Sequence, residues 1–189
     1  PKGEFLADRL TTETIKFIRE KVKEGKPFFA DLSFYAVHQR IEAKPEYIRK
    51  FKDKAERLGL DTLVQFIKDA PWMQREAGWK ERVVQSNAVY AGLLYSVDEN
   101  VGRIMDALKQ LGIADNTIVV FTSDNGGLST SEGTPTSNLP LRYGKGWNYE
   151  GGVRVPLIIK WPGVTKPDAV CHFPVINTDF YPTFLQMAH

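Results

Sequence analysis

Three short stretches carry residue types that could do chemistry. In "SDNGG", residues 123–127, the carboxylate of Asp124 sits beside the amide carbonyl of Asn125, and two glycines follow. An anionic oxygen next to a neutral one is a hard ligand pair, suited to calcium or magnesium and poorly to zinc. The glycines would let backbone fold closely around an ion. Read alone, Asp124 to Gly127 is more often a plain turn, since Asn and Gly are favoured there for backbone reasons. Lys145, in "YGKGWNYEGG", follows 145 − 124 = 21 positions later. Small neighbours let its ammonium approach an anion as a point charge, although a lysine between glycines is more often a solvated turn residue. Gly146 follows it where a phosphate-binding Walker loop needs Ser or Thr. His38 ends "PFFADLSFYAVH"; a lone histidine is more often a satisfied structural one. "SVDEN" reads as the solvated face of a helix. Trp72 and Trp79 could stack on a sugar, with packing the more frequent role.

These residues need elements to hold them. "TTETIKFIREKVKEGKP" has Ile15, Ile18 and Val22 at helical spacing, a cap at Thr11 or Thr12, and a stop at Gly25 and Pro27. The apolar run from Pro27 suits a buried strand and delivers His38 at its end. "KPEYIRKFKDKAERLG" reads as a helix, and "DAPWMQREAGW" as a loop. The clearest helix is "SNAVYAGLLYSVDENVGRIMDALKQLG", with Val89, Leu93, Val97, Val101, Ile104 and Leu108 in one stripe, a cap at Ser86 and a stop at Gly112. "TIVVFTS" then gives a strand, 128–152 a long polar stretch, "VRVPLIIKWPG" a second strand, and Thr178-Asp179 open a last helix. Strands alternating with helices predict an α/β fold, a sheet flanked by helices. Ligands in such sheets bind beyond the carboxyl ends of the strands, where Asp124, Asn125 and His38 are placed.

Bulk properties narrow the function classes. With 189 residues the chain can bury a core, and 42% hydrophobic residues exclude a disordered segment. A net charge of +2 gives no reason to invoke nucleic acid or an anionic membrane. No apolar run reaches the roughly 20 residues of a membrane span. The single cysteine, Cys171, excludes an internal disulfide and a multi-cysteine zinc site. Opening on Pro1, the chain reads as a piece of something longer.

The combination is more specific than its parts. "SFYAVH", "YAGLLYSVDENVGRIMDALKQLGIADNTIVVFTSDNGG", "GKGWNYEGGVRVPLIIKWPG" and "TDFYPTFLQMA", in that order, resemble the sulfatase family from about residue 5 onward. The resemblance implies an alkaline-phosphatase-like fold with a mostly parallel sheet, incomplete here. Residues 1–189 would be one partial domain, the C-terminal portion of a catalytic domain that cleaves aryl or carbohydrate sulfate esters. It implies Asp124 and Asn125 as ligands of one calcium, with magnesium the other candidate. Lys145 would contact the sulfate and assist the leaving oxygen, and His38 would face the sulfate as a proton donor. It also points to a periplasmic or secreted setting.

Two departures follow from the same comparison. The family's nucleophile is a formylglycine made from an upstream C-x-P-x-R or serine-type motif. Cys171, in "AVCHFPV", does not match it, and the upstream acidic pair, lysine and histidine are absent too. After His38 the chain reads "QRIEAKP", without the family's proline two residues on, so Arg40 is a candidate for the substrate pocket. The expectation is that this chain alone is inactive. Other readings are a binder of sulfated glycan, a phosphoester or phosphonate hydrolase of the same superfamily, and an incomplete sheet that dimerises through an exposed edge.

Overall fold

The computed structural model describes residues 4–68, 80–130 and 132–188. Trp72 and Trp79, and the whole of the expected loop "DAPWMQREAGW", lie outside these residues. Helix α1 (Leu6–Lys23) buries Ala7, Thr11, Ile15 and Ile18, one face at spacings of three and four. It starts before the expected caps. Thr11 is fully buried within it, and the Thr12 hydroxyl donates to the Asp8 carbonyl. Gly25 ends it in the left-handed region, at φ 65°. Helix α2 (Pro45–Arg57) follows, then two three-residue strands, β1 (Phe66–Lys68) and β2 (Lys80–Arg82), paired antiparallel. Helix α3 (Ala88–Gln110) is the spine, burying Leu93, Val97, Ala107 and Leu108. Its cap is Asn87, not Ser86: the Asn87 side chain accepts from the N–H groups of Val89 and Tyr90. Gly112, at φ 70°, closes it as expected.

Helices α1 and α2 both pack on α3. Gly92 lets α2 come close, since a Cβ there would stand 3.2 Å from the Tyr47 Cβ. Tyr95 meets the Tyr47 ring edge-on at 5.0 Å and carries the Lys50 ammonium 3.6 Å over its own ring. "SVDEN" is not simply a solvated face. Asn100 is fully buried, its amide donating to the Asp8 carboxylate at 2.8 Å, and Arg103 donates to the Asn100 carbonyl at 2.7 Å. Glu99 accepts from the Tyr47 hydroxyl. The reason is packing: α1 lies against the side of α3 that bears Asn100, which takes that residue out of water.

Asp8 is the hub of this contact, with the Lys44 ammonium 2.7 Å away. Burial alone would raise its carboxyl, but the hydrogen bonds from Lys44 and Asn100 and the nearby Arg103 charge outweigh it, holding the pKa below its ordinary 3.8. A depressed carboxyl contributes stability above its unfolded pKa and loses it as pH falls through the folded one. Acidification below about pH 4 is therefore expected to weaken the α1–α2–α3 packing. Asp8→Asn should flatten that acid limb of a urea-midpoint profile; an unchanged limb would remove Asp8 from it.

After α3, a 3₁₀ turn (Ala114–Asn116) leads into β3 (Val119–Thr122), which pairs antiparallel with β4 (Leu157–Lys160), Val119 opposite Lys160 and Thr122 opposite Leu157. Helices α4 (Glu150–Val153) and α5 (Phe180–Met187) complete the elements. The mostly parallel sheet expected above is not seen: both described ladders are antiparallel. Nor does the apolar run ending at His38 form a strand. Residues 26–35 form no ladder, and Phe29 and Tyr35 are each 74% exposed. β-forming side chains supply the propensity, but a strand also needs a partner, and none flanks this run among the described residues.

That run and the β3–β4 pair leave apolar surface open. Phe29 touches Phe184 of α5 at 6.2 Å between ring centroids, Phe173 lines a cleft with Phe184, and Val170, Ile176 and Tyr181 are exposed too. We expect the isolated 21.4 kDa chain to associate through this face, as the dimer reading anticipates. Light scattering that returns a monomer mass at all concentrations would contradict it.

Candidate functional site

The site is built where β3 ends. Asp124 is exposed and Asn125 half-buried just beyond it. The Asp124 carboxylate accepts the Asn125 N–H at 2.9 Å, and the Asn125 amide donates to the Gly126 carbonyl at 3.0 Å. The two glycines then run into the Lys145 loop. Gly126 N–H donates to the Gly152 carbonyl at 2.9 Å, and the Gly127 carbonyl accepts the Lys145 N–H at 3.1 Å. A Cβ on Gly126 would lie 1.7 Å from the Gly151 carbonyl oxygen, and one on Gly144 would lie 2.0 Å from the Gly127 oxygen. Gly126 and Gly127 do not have positive φ. They do not form a left-handed turn; they let two backbone loops touch.

Lys145, half-buried, extends its ammonium to within 2.7 Å of the His38 Nε2, across 107 positions of sequence. An ammonium has only donors, so Nε2 accepts. The other nitrogen, Nδ1, lies 3.3 Å from the Gln39 carbonyl and donates to it. The turn is fastened on the same side by the Gln39 amide, which donates to the Glu132 carbonyl. Arg40 is exposed. The structure thus joins His38 to Lys145, and joins both through the Gly127 peptide to the loop bearing Asp124 and Asn125.

The stretch after the glycines reads as polar, yet it is a buried part of the site. Ser129, Thr130, Thr134, Thr136 and Ser137 are all 7% exposed or less. Their backbone is met by other chain segments: Arg82 N–H donates to the Ser129 carbonyl at 2.8 Å, Arg82 Nε to the Thr134 carbonyl at 2.6 Å, and the Gln85 amide to the Ser137 carbonyl at 2.7 Å. Burial lowers the Arg82 pKa and raises that of Tyr90, whose hydrogen bond with Thr136 opposes the rise. Tyr143 is buried at φ 58°, a left-handed conformation a bulky side chain adopts only when held there. Its ring lies 5.0 Å from that of Trp147, whose indole N–H donates to Thr130 at 3.0 Å. The signal missed in the sequence is size: residues 129–137 are mostly Gly, Ser and Thr, which can be buried with their backbone bonded.

Asp124 and Asn125 fit a calcium ion in kind, since both offer hard oxygens, but they cover two of the six to eight it takes. Among the described residues, no three His, Cys, Asp or Glu side chains cluster closely enough to hold a metal. Cys171 is exposed and free.

Comparison with known proteins bears on this arrangement. The sulfatase family model matches residues 2–189. A sulfatase of Formosa agariphila is 38% identical over 192 residues, covering 97% of this chain and 30% of that protein. Mouse steryl-sulfatase is 30% identical over 188 residues, covering 97% of this chain and 24% of that one. The crystal structure of Ps i-CgsB in complex with k-i-k-neocarrahexaose superposes with a TM-score of 0.74 at 32% identity, covering 98% of this chain and 34% of that chain. This chain therefore spans about a third or less of each of these three proteins, and shares their α/β fold. With the family model running over nearly every residue, from the helices through both loops of the site, the chain belongs to the sulfatase family.

Proposed function

We propose that this chain supplies the C-terminal portion of the catalytic domain of a sulfuric ester hydrolase, and within it the cationic side of the active site. The contact between Lys145 Nζ and His38 Nε2 at 2.7 Å carries the reading. Two residues that can both serve an anion converge from distant segments, next to a loop of hard oxygen ligands. Cleaving a sulfate ester leaves negative charge on the departing oxygen and on the sulfuryl oxygens. A pre-placed ammonium aimed at that charge stabilises the transition state more than the ground state. Lys145 fills that role at the leaving oxygen. His38, held by its Nδ1 bond to the Gln39 carbonyl, presents Nε2 to the same place. This nitrogen, an acceptor here, first takes up a proton from solvent, and the imidazolium then gives that proton to the departing alkoxide or phenoxide, which leaves His38 neutral again.

Asp124 and Asn125 would hold one calcium ion, which supplies charge stabilisation at the sulfuryl oxygens when bound. The remaining ligands and the formylglycine nucleophile would come from chain that precedes Pro1. The substrate class is an aryl, steryl or carbohydrate sulfate. Similar proteins support it, one named for steryl sulfate and one solved with neocarrahexaose.

The test compares the parent protein with the 189-residue chain. The parent should hydrolyse an aryl sulfate faster than the matching aryl phosphate. The isolated chain should turn over neither, and by titration calorimetry should bind calcium more weakly than micromolar. Faster phosphate hydrolysis by the parent would overturn the sulfatase reading. Turnover or micromolar calcium binding by the isolated chain would overturn the division of the site.

A further inference from the structure

One side chain in the site has neither a charge nor a place in the chemistry above, yet it bonds to both loops. Asn138 donates its amide to the Gly127 carbonyl at 2.8 Å and accepts the Gly127 N–H at 3.2 Å. It thus pairs with that peptide as a neighbouring strand would. The second N–H of the same amide donates to the Tyr143 carbonyl at 2.8 Å. All three bonds of one carboxamide are spent on backbone: two on the peptide three residues after Asp124, one on the peptide two residues before Lys145. We propose that Asn138 is a positioning residue for Lys145, fixing where its ammonium stands relative to Asp124 and Asn125. The proposal rests on the role given to Lys145 above.

Other bonds brace the same loop, such as the 2.8 Å bond from the Gly151 N–H to the Arg142 carbonyl, but Asn138 ties it to the loop after Asp124. Lys145 follows Gly127 by 145 − 127 = 18 positions, and its own N–H makes one 3.1 Å bond back to the Gly127 carbonyl. That carbonyl is shared: Asn138 and Lys145 both donate to it, so its direction is set by the two together. Tyr143 sits at φ 58°, strained for a side chain of its size, and Asn138 holds its carbonyl. Gly144 then passes so close that a Cβ there would meet the Asn138 amide nitrogen at 2.7 Å. Lys145 leaves the loop from this clamped backbone. Asp in place of Asn138 keeps the size and the acceptor but loses both donors, and turns a negative oxygen toward two carbonyls. Gln keeps the chemistry but adds a methylene that the gap to Gly144 does not admit.

The experiment is a double-mutant cycle on kcat in the parent enzyme with an aryl sulfate: wild type, Asn138→Asp, Lys145→Ala, and both. Asn138→Asp alone should lower kcat on the order of 10- to 100-fold, as misplacement of a catalytic group by about 1 Å does, with KM nearly unchanged. In the Lys145→Ala background the same change should lower kcat by less than about twofold, because a residue acting through Lys145 has nothing left to place. Losses that multiply in the double variant, or an unaltered kcat in Asn138→Asp, would overturn the proposal. If Asn138→Asp does not fold, Asn138→Ala carries the same cycle. Failure of both to fold would make Asn138 a structural residue and overturn it as well. Lys145→Ala with wild-type kcat would instead strike the reading of Lys145 itself, so the two failures are distinguishable.

Discussion

Replacing Lys145 with alanine in the parent enzyme should lower kcat by about 10²- to 10³-fold, or about 2.7–4 kcal/mol, the range for removing one pre-placed donor from a developing oxyanion. The side chain ends on the His38 Nε2 rather than on a carboxylate. Its charge is therefore not neutralised by that partner and is available to an anion. Its removal strands no buried charge, since Lys145 is half-buried and His38 exposed, so the urea midpoint should stay within about 0.5 kcal/mol of wild type. Lys145→Arg should recover little: a planar fork on a longer stem cannot replace a point charge that fits between Gly144 and Gly146. Steady-state kinetics with an aryl sulfate checks this. A kcat unchanged in Lys145→Ala would remove the residue from the mechanism.

The second large effect is steric. Gly126→Ala would set a Cβ 1.7 Å from the Gly151 oxygen and 2.8 Å from the Gly151 carbonyl carbon. The neighbour is backbone and cannot rotate away, so the two loops must part. That breaks the 2.9 Å bond from Gly126 N–H to the Gly152 carbonyl. A destabilisation of about 3 kcal/mol is expected, at the upper end of overpacking, with activity falling alongside because the same loop bears Asp124 and Asn125. Gly102→Ala is the control. Gly102 lies in α3 with nothing within 4 Å of an added Cβ, so the same change there should stabilise by about 0.5–1 kcal/mol. Denaturant unfolding of the two variants separates them. Equal midpoints would show that the loops are not in the contact described.

Sequence reasoning reached the elements that carry their own period. Helix α3, its stop at Gly112, and strands β3 and β4 are written in local spacing and apolar runs, and they stand where expected. The chemistry-bearing residues were also legible by type. What depends on a partner was not. The run before His38 has strand-forming side chains and no ladder. Asn100 looks solvated on its own helix and is buried only because α1 crosses there. The small polar residues after Gly127 suggest surface, yet their backbone bonds to Arg82 and Gln85. The same limit hid Asn138, an unremarkable residue in sequence whose importance is a set of three contacts. It also hid the contact that the glycines after Asn125 make with the Lys145 loop, since a gap between two loops leaves no mark on spacing.

The contact between His38 and Lys145 also says when the site comes into being. Its partners are separated by 107 residues, and closing a flexible loop of that length costs about 4 kcal/mol in chain entropy. A hydrogen bond to a charged group returns about 1.5–3 kcal/mol. The bond cannot hold its own ends together. They meet because α2 and α3, folded between them, have already shortened the path. The pair is therefore a late product of folding, and it opens early when the chain loosens. Assembly of this pair thus waits on completed tertiary structure: partially folded chains display the same lysine and histidine, but apart.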